Sequence, residues 1–388
     1  MVVQETMSLF GSALMFDIAI FVLLFLIGYG TLILSRKYHL PEPLILFVIG
    51  MMAHVLVPGI TAGWIVIIAL VLLLFDAGAH FLPRKFDAHS VLVLEFILYS
   101  FVANTILSGV LLYAFLVHGF TVQLVLLAIV MGALLTACSQ FEILKVFKVH
   151  INRLYRLTQL EDHLSNPLML TISLIALWFA SSYALGIDVA LVAVLSALFI
   201  DIAVGIFFAI IVLALSRKFL RKLPLAYISA PVALLTYYQA YLFGGTGFIA
   251  VLVTSLFYHN TVSRVSDLGE FGPFLSNAVY ILVFILLGYM IPITFAGLYI
   301  GFMLFMLYLS IRYILLGFFF HADQHFMTLD CPKGLAVGAV ILLVVVGEVS
   351  PFAGFPALHV AISSLVVAYV LSIASSYSVN VITHKIIK

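Results

Sequence analysis

Charge is what this chain has least of. Only 9% of its 388 residues are Asp, Glu, Lys or Arg, against about 25% in a typical soluble domain. A surface of that kind cannot cover a water-soluble globule of this length. Net charge is also small, +1 at neutral pH, and no basic patch is interleaved with aromatics. Nucleic acid is therefore not an expected partner. Cysteine is nearly absent: Cys138 and Cys331 form no CxxC pair and set up no disulfide framework. There is no HExxH, no G-x-S-x-G elbow and no His/Cys cluster at metal spacing. Neither an enzyme nor a resident cofactor is expected. Met1 to Ser8 lacks a basic leader and contains Glu5, so the first apolar span is expected to direct insertion itself.

What the chain has in abundance is apolar sequence. Hydrophobic residues make up 65% of it, and mean hydropathy is +1.30. The apolar runs are too long, and alternate too little, for outer-membrane strands. An all-α polytopic membrane protein follows. About thirteen spans are expected from span length, at roughly 9–35, 41–57, 62–82, 90–118, 121–144, 157–183, 188–216, 224–243, 245–259, 271–293, 296–320, 334–347 and 355–376. The largest connections fall around 145–156, 260–270 and 321–333. All 388 residues read as one membrane unit.

The basic residues orient it. Of 17 Lys and Arg, all but Arg312 fall in segments that follow odd-numbered spans. Positive residues mark the cytoplasmic side, so the N-terminus is expected outside and the C-terminus in the cytoplasm. An odd span count with this orientation suits an inverted repeat of six plus six spans around a linking one. Two matched positions agree with it. Span 5 carries Gly132-Ala133 followed by Thr136-Ala137-Cys138-Ser139-Gln140, and span 12 begins Gly334-Leu335-Ala336-Val337-Gly338. Both interrupt an apolar pattern, and both spans are expected to be broken helices.

Charged residues inside spans are costly, roughly 2.5–3.5 kcal/mol each at mid-membrane on insertion scales. Among those inside the expected spans are Asp17, Asp76, Glu95, Glu161, Asp162, Asp201 and Arg312. Asp17 and Asp76 lie near span ends or in a subunit contact, and Glu95 is one turn into span 4. Asp201 reads as a structural hydrogen-bonding acid or a functional one. Arg312 is the one base at membrane depth, with Tyr308 one turn before it on the same face. A buried guanidinium needs a counter-charge, so a carboxylate from another span is expected beside it.

The densest cluster is Glu161-Asp162-His163-Leu164-Ser165-Asn166-Pro167 in span 6. Glu161 and Ser165 share one helix face, as do Asp162 and Asn166. Pro167 has no N–H, which leaves the carbonyl of His163 without its helical donor. Carboxylate, amide, hydroxyl and carbonyl oxygens suit a hard monovalent cation. The other reading is a wet cluster at the membrane interface with no substrate. His163 titrates near neutrality when unperturbed, but a lone histidine is a weak signal.

These segments resemble the sodium/proton antiporters of the cation:proton antiporter superfamily, in order along most of the chain. The matching stretches are Leu40 to Gly50, with its prolines, apolar run and Gly, and Leu73-Leu74-Phe75-Asp76-Ala77-Gly78. Later come Gly245-Thr246-Gly247-Phe248-Ile249-Ala250-Val251, Val283 to Gly288, and Gly334 to Val340. The ion motifs depart from the family pattern. Where members carry Gly-Ala-x-x-x-Ala-Thr-Asp-Pro, this chain ends in Cys138-Ser139-Gln140. Where members carry Glu-Ser-x-x-Asn-Asp-Pro, it reads Glu161-Asp162-His163-Leu164-Ser165-Asn166-Pro167. Arg312 matches the family's span-11 arginine.

The resemblance implies a secondary transporter of the cell membrane, exchanging Na⁺ for protons by alternating access. It also implies a homodimer with a moving core (about 90–183 and 296–376) against a scaffold (about 9–82 and 188–293). Glu161 and Asp162 would carry cation and proton, with Ser165, Asn166, Ser139 and Cys138 as uncharged ligands. Arg312 would be a structural or switching charge. A sodium ion would lie at Glu161, Asp162 and Asn166. An amide does not take up a proton at physiological pH, so Asn166 cannot stand in for the motif aspartate. The second expectation is therefore a homologue that has lost or altered transport and acts as a binding or regulatory membrane protein.

Overall fold

The computed structural model describes residues 20, 22–35, 37–38, 40–56, 63–81, 88–115, 121–138, 152–183, 186–218, 225–261, 271–291, 293–321, 324–329, 334–346 and 358–387. Within them the chain is helical. In order these are α1 (Val22–Ser35), α2 (Glu42–Leu56), α3 (Gly63–His80), α4 (Ala88–Phe115), α5 (Val122–Thr136), α6 (Asn152–Ser182), α7 (Ile187–Lys218), α8 (Leu225–Leu242), α9 (Phe248–Thr261), α10 (Phe271–Met290), α11 (Phe295–Phe319), α12 (Gln324–Leu329), α13 (Leu335–Val346) and α14 (Leu358–Ile387).

Each of the thirteen expected spans coincides with a helix, and the protein is a multi-pass membrane protein. Among the described residues, α4, α6, α7, α11 and α14 are each long and apolar enough to cross a bilayer on their own. The helices start where backbone donors find local acceptors. The Thr121 side chain accepts from Leu124 N at 3.2 Å, and the Thr294 side chain accepts from Gly297 N at 3.0 Å, both as N-caps.

Helices in lipid gain no hydrophobic drive toward each other, so close packing through small residues sets their crossings. Helices α2 and α10 meet at Gly50 and Gly288. A Cβ on either glycine would lie 2.0 Å from a backbone oxygen of the other helix, Ile285 O or Phe47 O. Helices α3 and α9 meet in the same manner at Gly78, where the Ser255 hydroxyl donates to Phe75 O. These two contacts join a helix of the first half to one of the second.

Two expectations change here. Among the described residues of span 5 the helix ends at Thr136, where Ala137 takes an extended conformation (φ −59°, ψ 126°); residues 139–151 lie outside the described set. The stretch 321–333, expected as a connection, contains α12. That helix is packed against α11 and α14, with Met327 and Thr328 buried. Ser375 Oγ donates to Leu329 O at 3.2 Å, and Tyr369 Oη donates to Gly334 O at 3.3 Å. Ser375 and Tyr369 are six positions apart on α14, about 9 Å along its axis. Gly338, expected at a break, is within helix α13, where a Cβ would meet Leu287 and Val283. Lys333 lies outside the described residues.

Candidate functional site

Helix α6 carries the acidic motif through a mostly buried path beside α4 and α5. Adjacent residues on a helix point about 100° apart, so Glu161 and Asp162 face different neighbours. Glu161 is buried (1% exposed) and meets Arg312 of α11, itself 4% exposed. The contact is bidentate: Nη1 donates to Oε1 at 2.7 Å and Nη2 to Oε2 at 2.9 Å. Arg312 Nε donates to Met327 O of α12 at 3.0 Å. Its Cζ lies 5.4 Å from the centre of the Phe96 ring on α4. This fork geometry is the strongest form of an ion pair, and the ring adds a cation–π contact. The expected carboxylate partner of Arg312 is therefore Glu161, and both its oxygens are engaged.

Asp162 and Asn166 form a second unit one helical turn long. Asn166 Nδ2 donates to Asp162 Oδ1 at 2.5 Å, while buried Asn166 Oδ1 has no hydrogen-bond partner. Both residues are half-buried. Ser165, fully buried, faces the broken end of span 5 instead. Its Oγ accepts from Cys138 N at 3.2 Å and donates to Cys138 O at 3.4 Å. A side chain of α6 thus replaces helical partners that the backbone loses beyond Thr136. Pro167 sits inside α6 without ending it, and its own carbonyl accepts from the Thr171 hydroxyl.

Cys138 departs from expectation. It is disulfide-bonded, so its sulfur is no thiol ligand, and its backbone is what meets Ser165. The spacing of the cysteines in sequence carries no trace of this, because chain separation says nothing of distance in the fold. The chain's other cysteine, Cys331, and the candidate ligand Ser139 both lie outside the described residues. So does Asp17. Asp76 and Glu95 are exposed on α3 and α4. Asp201 is fully buried on α7 and accepts from Thr246 N at 3.2 Å, Thr246 Oγ1 at 2.5 Å and Gly247 N at 3.0 Å. These donors belong to the turn before α9, where Gly244 and Gly247 hold positive φ of 90° and 78°, a conformation that suits glycine. Asp201 is a structural cap.

Sequence reasoning missed a polar face on α4. Ser100, Asn104 and Ser108 recur every fourth residue and are 5%, 1% and 0% exposed. Asn104 Nδ2 donates to Thr136 Oγ1 of α5 at 3.0 Å. Ser100 Oγ, Asn104 Oδ1, Thr105 Oγ1 and Ser108 Oγ have no partner. A buried oxygen left so costs roughly 1–3 kcal/mol. Ser100, Asn104 and Thr136 share a cleft with Glu161, Tyr308 and Arg312 that is too narrow for a water-sized sphere. The signal was the four-residue polar period within an otherwise apolar span. Among the described residues no three His, Cys, Asp or Glu gather as a metal site would require.

Comparison with solved structures places this architecture. The sodium proton antiporter MjNhaP1 of Methanocaldococcus jannaschii, at pH 8, superposes with a TM-score of 0.72 at 18% identity, covering 94% of this chain and 99% of that one. An electron-microscopy structure of the same antiporter gives 0.67 at 17% identity, covering 94% of each chain. No protein-family model matches the sequence, nor does any curated protein. The chain has the fold of a sodium/proton antiporter.

Proposed function

We propose that the protein is a secondary transporter exchanging a monovalent cation, Na⁺ first among candidates, for protons by alternating access. The observation that carries the residue assignment is the division of labour on α6. Glu161 is held through both oxygens by Arg312, which makes that pair a structural counter-charge. We assign the exchange to Asp162, the motif's other carboxylate, which lies one turn from Asn166 and can accept either a proton or a cation. Asn166 Oδ1, buried and without a hydrogen-bond partner, is a hard neutral ligand beside it. Backbone oxygen at the broken end of α5, ordered by Ser165, completes the kind of ligand set that such an ion takes.

The remaining features fit the same reading. Helices α4, α5 and α6 pack on one another, and α4 also packs on α11 and α11 on α14. They would form the moving core, with α1–α3 and α7–α10 as scaffold and as the surface of a homodimer in the plasma membrane. The six-plus-six inverted repeat, with an outside N-terminus and a cytoplasmic C-terminus, supplies the two-sided geometry that alternating access needs.

The test is a pH-gradient assay in proteoliposomes. Addition of Na⁺, K⁺ or Li⁺ should collapse an imposed gradient with the wild-type protein. Asp162→Asn should abolish that response. An unchanged response in Asp162→Asn would overturn the residue assignment. A wild-type protein silent to all three ions would favour the second reading, a binding or regulatory membrane protein. The observation behind that reading is the amide at Asn166, where the resembling family has an acid.

A further inference from the structure

The buried oxygens of α4 point to a use beyond packing. Four of the eight buried polar side-chain atoms without a partner, among the described residues, belong to this one helix. Hydroxyls in membrane helices normally satisfy themselves by donating to the carbonyl four residues back. In this protein Thr136, Thr171, Ser173, Thr254, Ser310 and Thr328 all do so. Ser100 and Ser108 do not. Between them, Asn104 spends its amide N–H on Thr136 and leaves its carbonyl oxygen unmatched.

The three side chains form a continuous line. From Ser100 to Ser108 the helix rises about 12 Å. One end opens on the cleft shared with Glu161 and Arg312. The other runs toward the far end of α4, at the level where Gly109 faces Ala128 of α5. Asn104 Oδ1 needs a donor, and each serine can donate as well as accept. Water meets all of these needs. A bare cation meets the acceptors only, and would stand beside the Arg312 guanidinium. The lipid-facing side of the same helix is apolar, with Val102, Ile106 and Val110 exposed.

We infer that Ser100, Asn104 and Ser108 line a passage for a file of waters along α4, leading from the Glu161–Arg312 pair toward the opposite membrane face. The line admits water when the α4–α5 contact loosens, because the cleft is closed to a water-sized sphere here. In exchange it would conduct protons or relieve the ion pair of its desolvation. That use rests on the transporter reading; the hydration of the face does not.

Thiol chemistry tests the hydration directly, since the thiolate is the reactive form and needs water. Single variants Ser100→Cys, Asn104→Cys and Ser108→Cys are made in the full chain, with Val102→Cys, Ile106→Cys and Val110→Cys as lipid-facing controls on the same helix. Each is reconstituted in vesicles and treated with Ag⁺, a thiol-reactive ion close to water in size, and labelling is read as the loss of free thiol. The inference requires the three inner positions to label at least about tenfold faster than the three outer ones. Equal rates, or faster labelling of the outer set, would overturn it. Ser100→Cys and Ser108→Cys replace oxygen with sulfur and keep the packing, so slow labelling there cannot be laid to misfolding. A second arm measures exchange in Asn104→Leu, which should fall about tenfold or more if the file serves transport. Unchanged exchange in that variant would remove the transport role. A wild-type protein without exchange would sink the transporter reading and leave the labelling result to decide the passage by itself.

Discussion

Glu161 and Asp162 are neighbours in sequence and opposites in circumstance. Glu161 points across to α11, where a guanidinium takes both its oxygens. Asp162 has on its own helix an amide four residues on, which donates to Oδ1 and keeps its own carbonyl oxygen unmatched. The first arrangement engages both carboxylate oxygens. The second includes an amide oxygen without a hydrogen-bond partner. A similar contrast holds between Asp162 and Asp201, whose carboxylate closes a turn with three donors. Burial of an acid in this protein is therefore no guide to function. What distinguishes the acids is the partner each meets: a guanidinium at Glu161, an amide at Asp162 and the donors of a turn at Asp201.

That contrast can be broken by mutation, and the expected losses of stability fall in order. Arg312→Ala strands Glu161 in a buried site and should cost roughly 3–5 kcal/mol, read as a sharp fall in melting temperature in detergent. Asp201→Ala leaves the donors of Thr246 and Gly247 unmet and should cost about 1–3 kcal/mol, with no specific effect on ion response in the protein that stays folded. Replacing both members of the ion pair, Arg312→Met with Glu161→Leu, removes the charge problem instead of exposing it. Its cost should fall to about 1 kcal/mol or less, well below that of Arg312→Ala. Recovery of melting temperature in the double variant checks this. Asp162→Asn should change stability least of all, by under about 1 kcal/mol, while exchange in proteoliposomes disappears. A large melting shift in Asp162→Asn with exchange preserved would reverse the roles given to the two acids.

Several of these features were legible beforehand. A helix lies at each of the thirteen apolar runs, and among the described residues α5 ends at Thr136, ahead of the polar residues Cys138-Ser139-Gln140. The need for a carboxylate at Arg312 followed from the cost of a lone buried charge. Its identity did not, because Glu161 and Arg312 lie 151 positions apart and several acids were equally available. Glu161 and Asp162 read in the sequence as a pair of adjacent acids, and the structure turns them toward different neighbours. The line of Ser100, Asn104 and Ser108 was visible as a four-residue period, yet serine is common enough in membrane helices that the period alone did not single it out. Helix α12 was hidden because six residues of mixed polarity look like a loop until α11 and α14 cover them.

The sequence by itself determined that this is a multi-pass helical membrane protein, where its spans lie, and that an acidic motif sits within the sixth. Those are consequences of local composition, since hydrocarbon admits only segments whose backbone is satisfied internally. Tertiary structure alone decided which acid is neutralised, which keeps an unpaired neighbour, that Cys138 is disulfide-bonded, and that four oxygens on α4 face inward without partners. Each depends on what a distant segment places within about 3 Å of a given atom, and no local pattern encodes that distance.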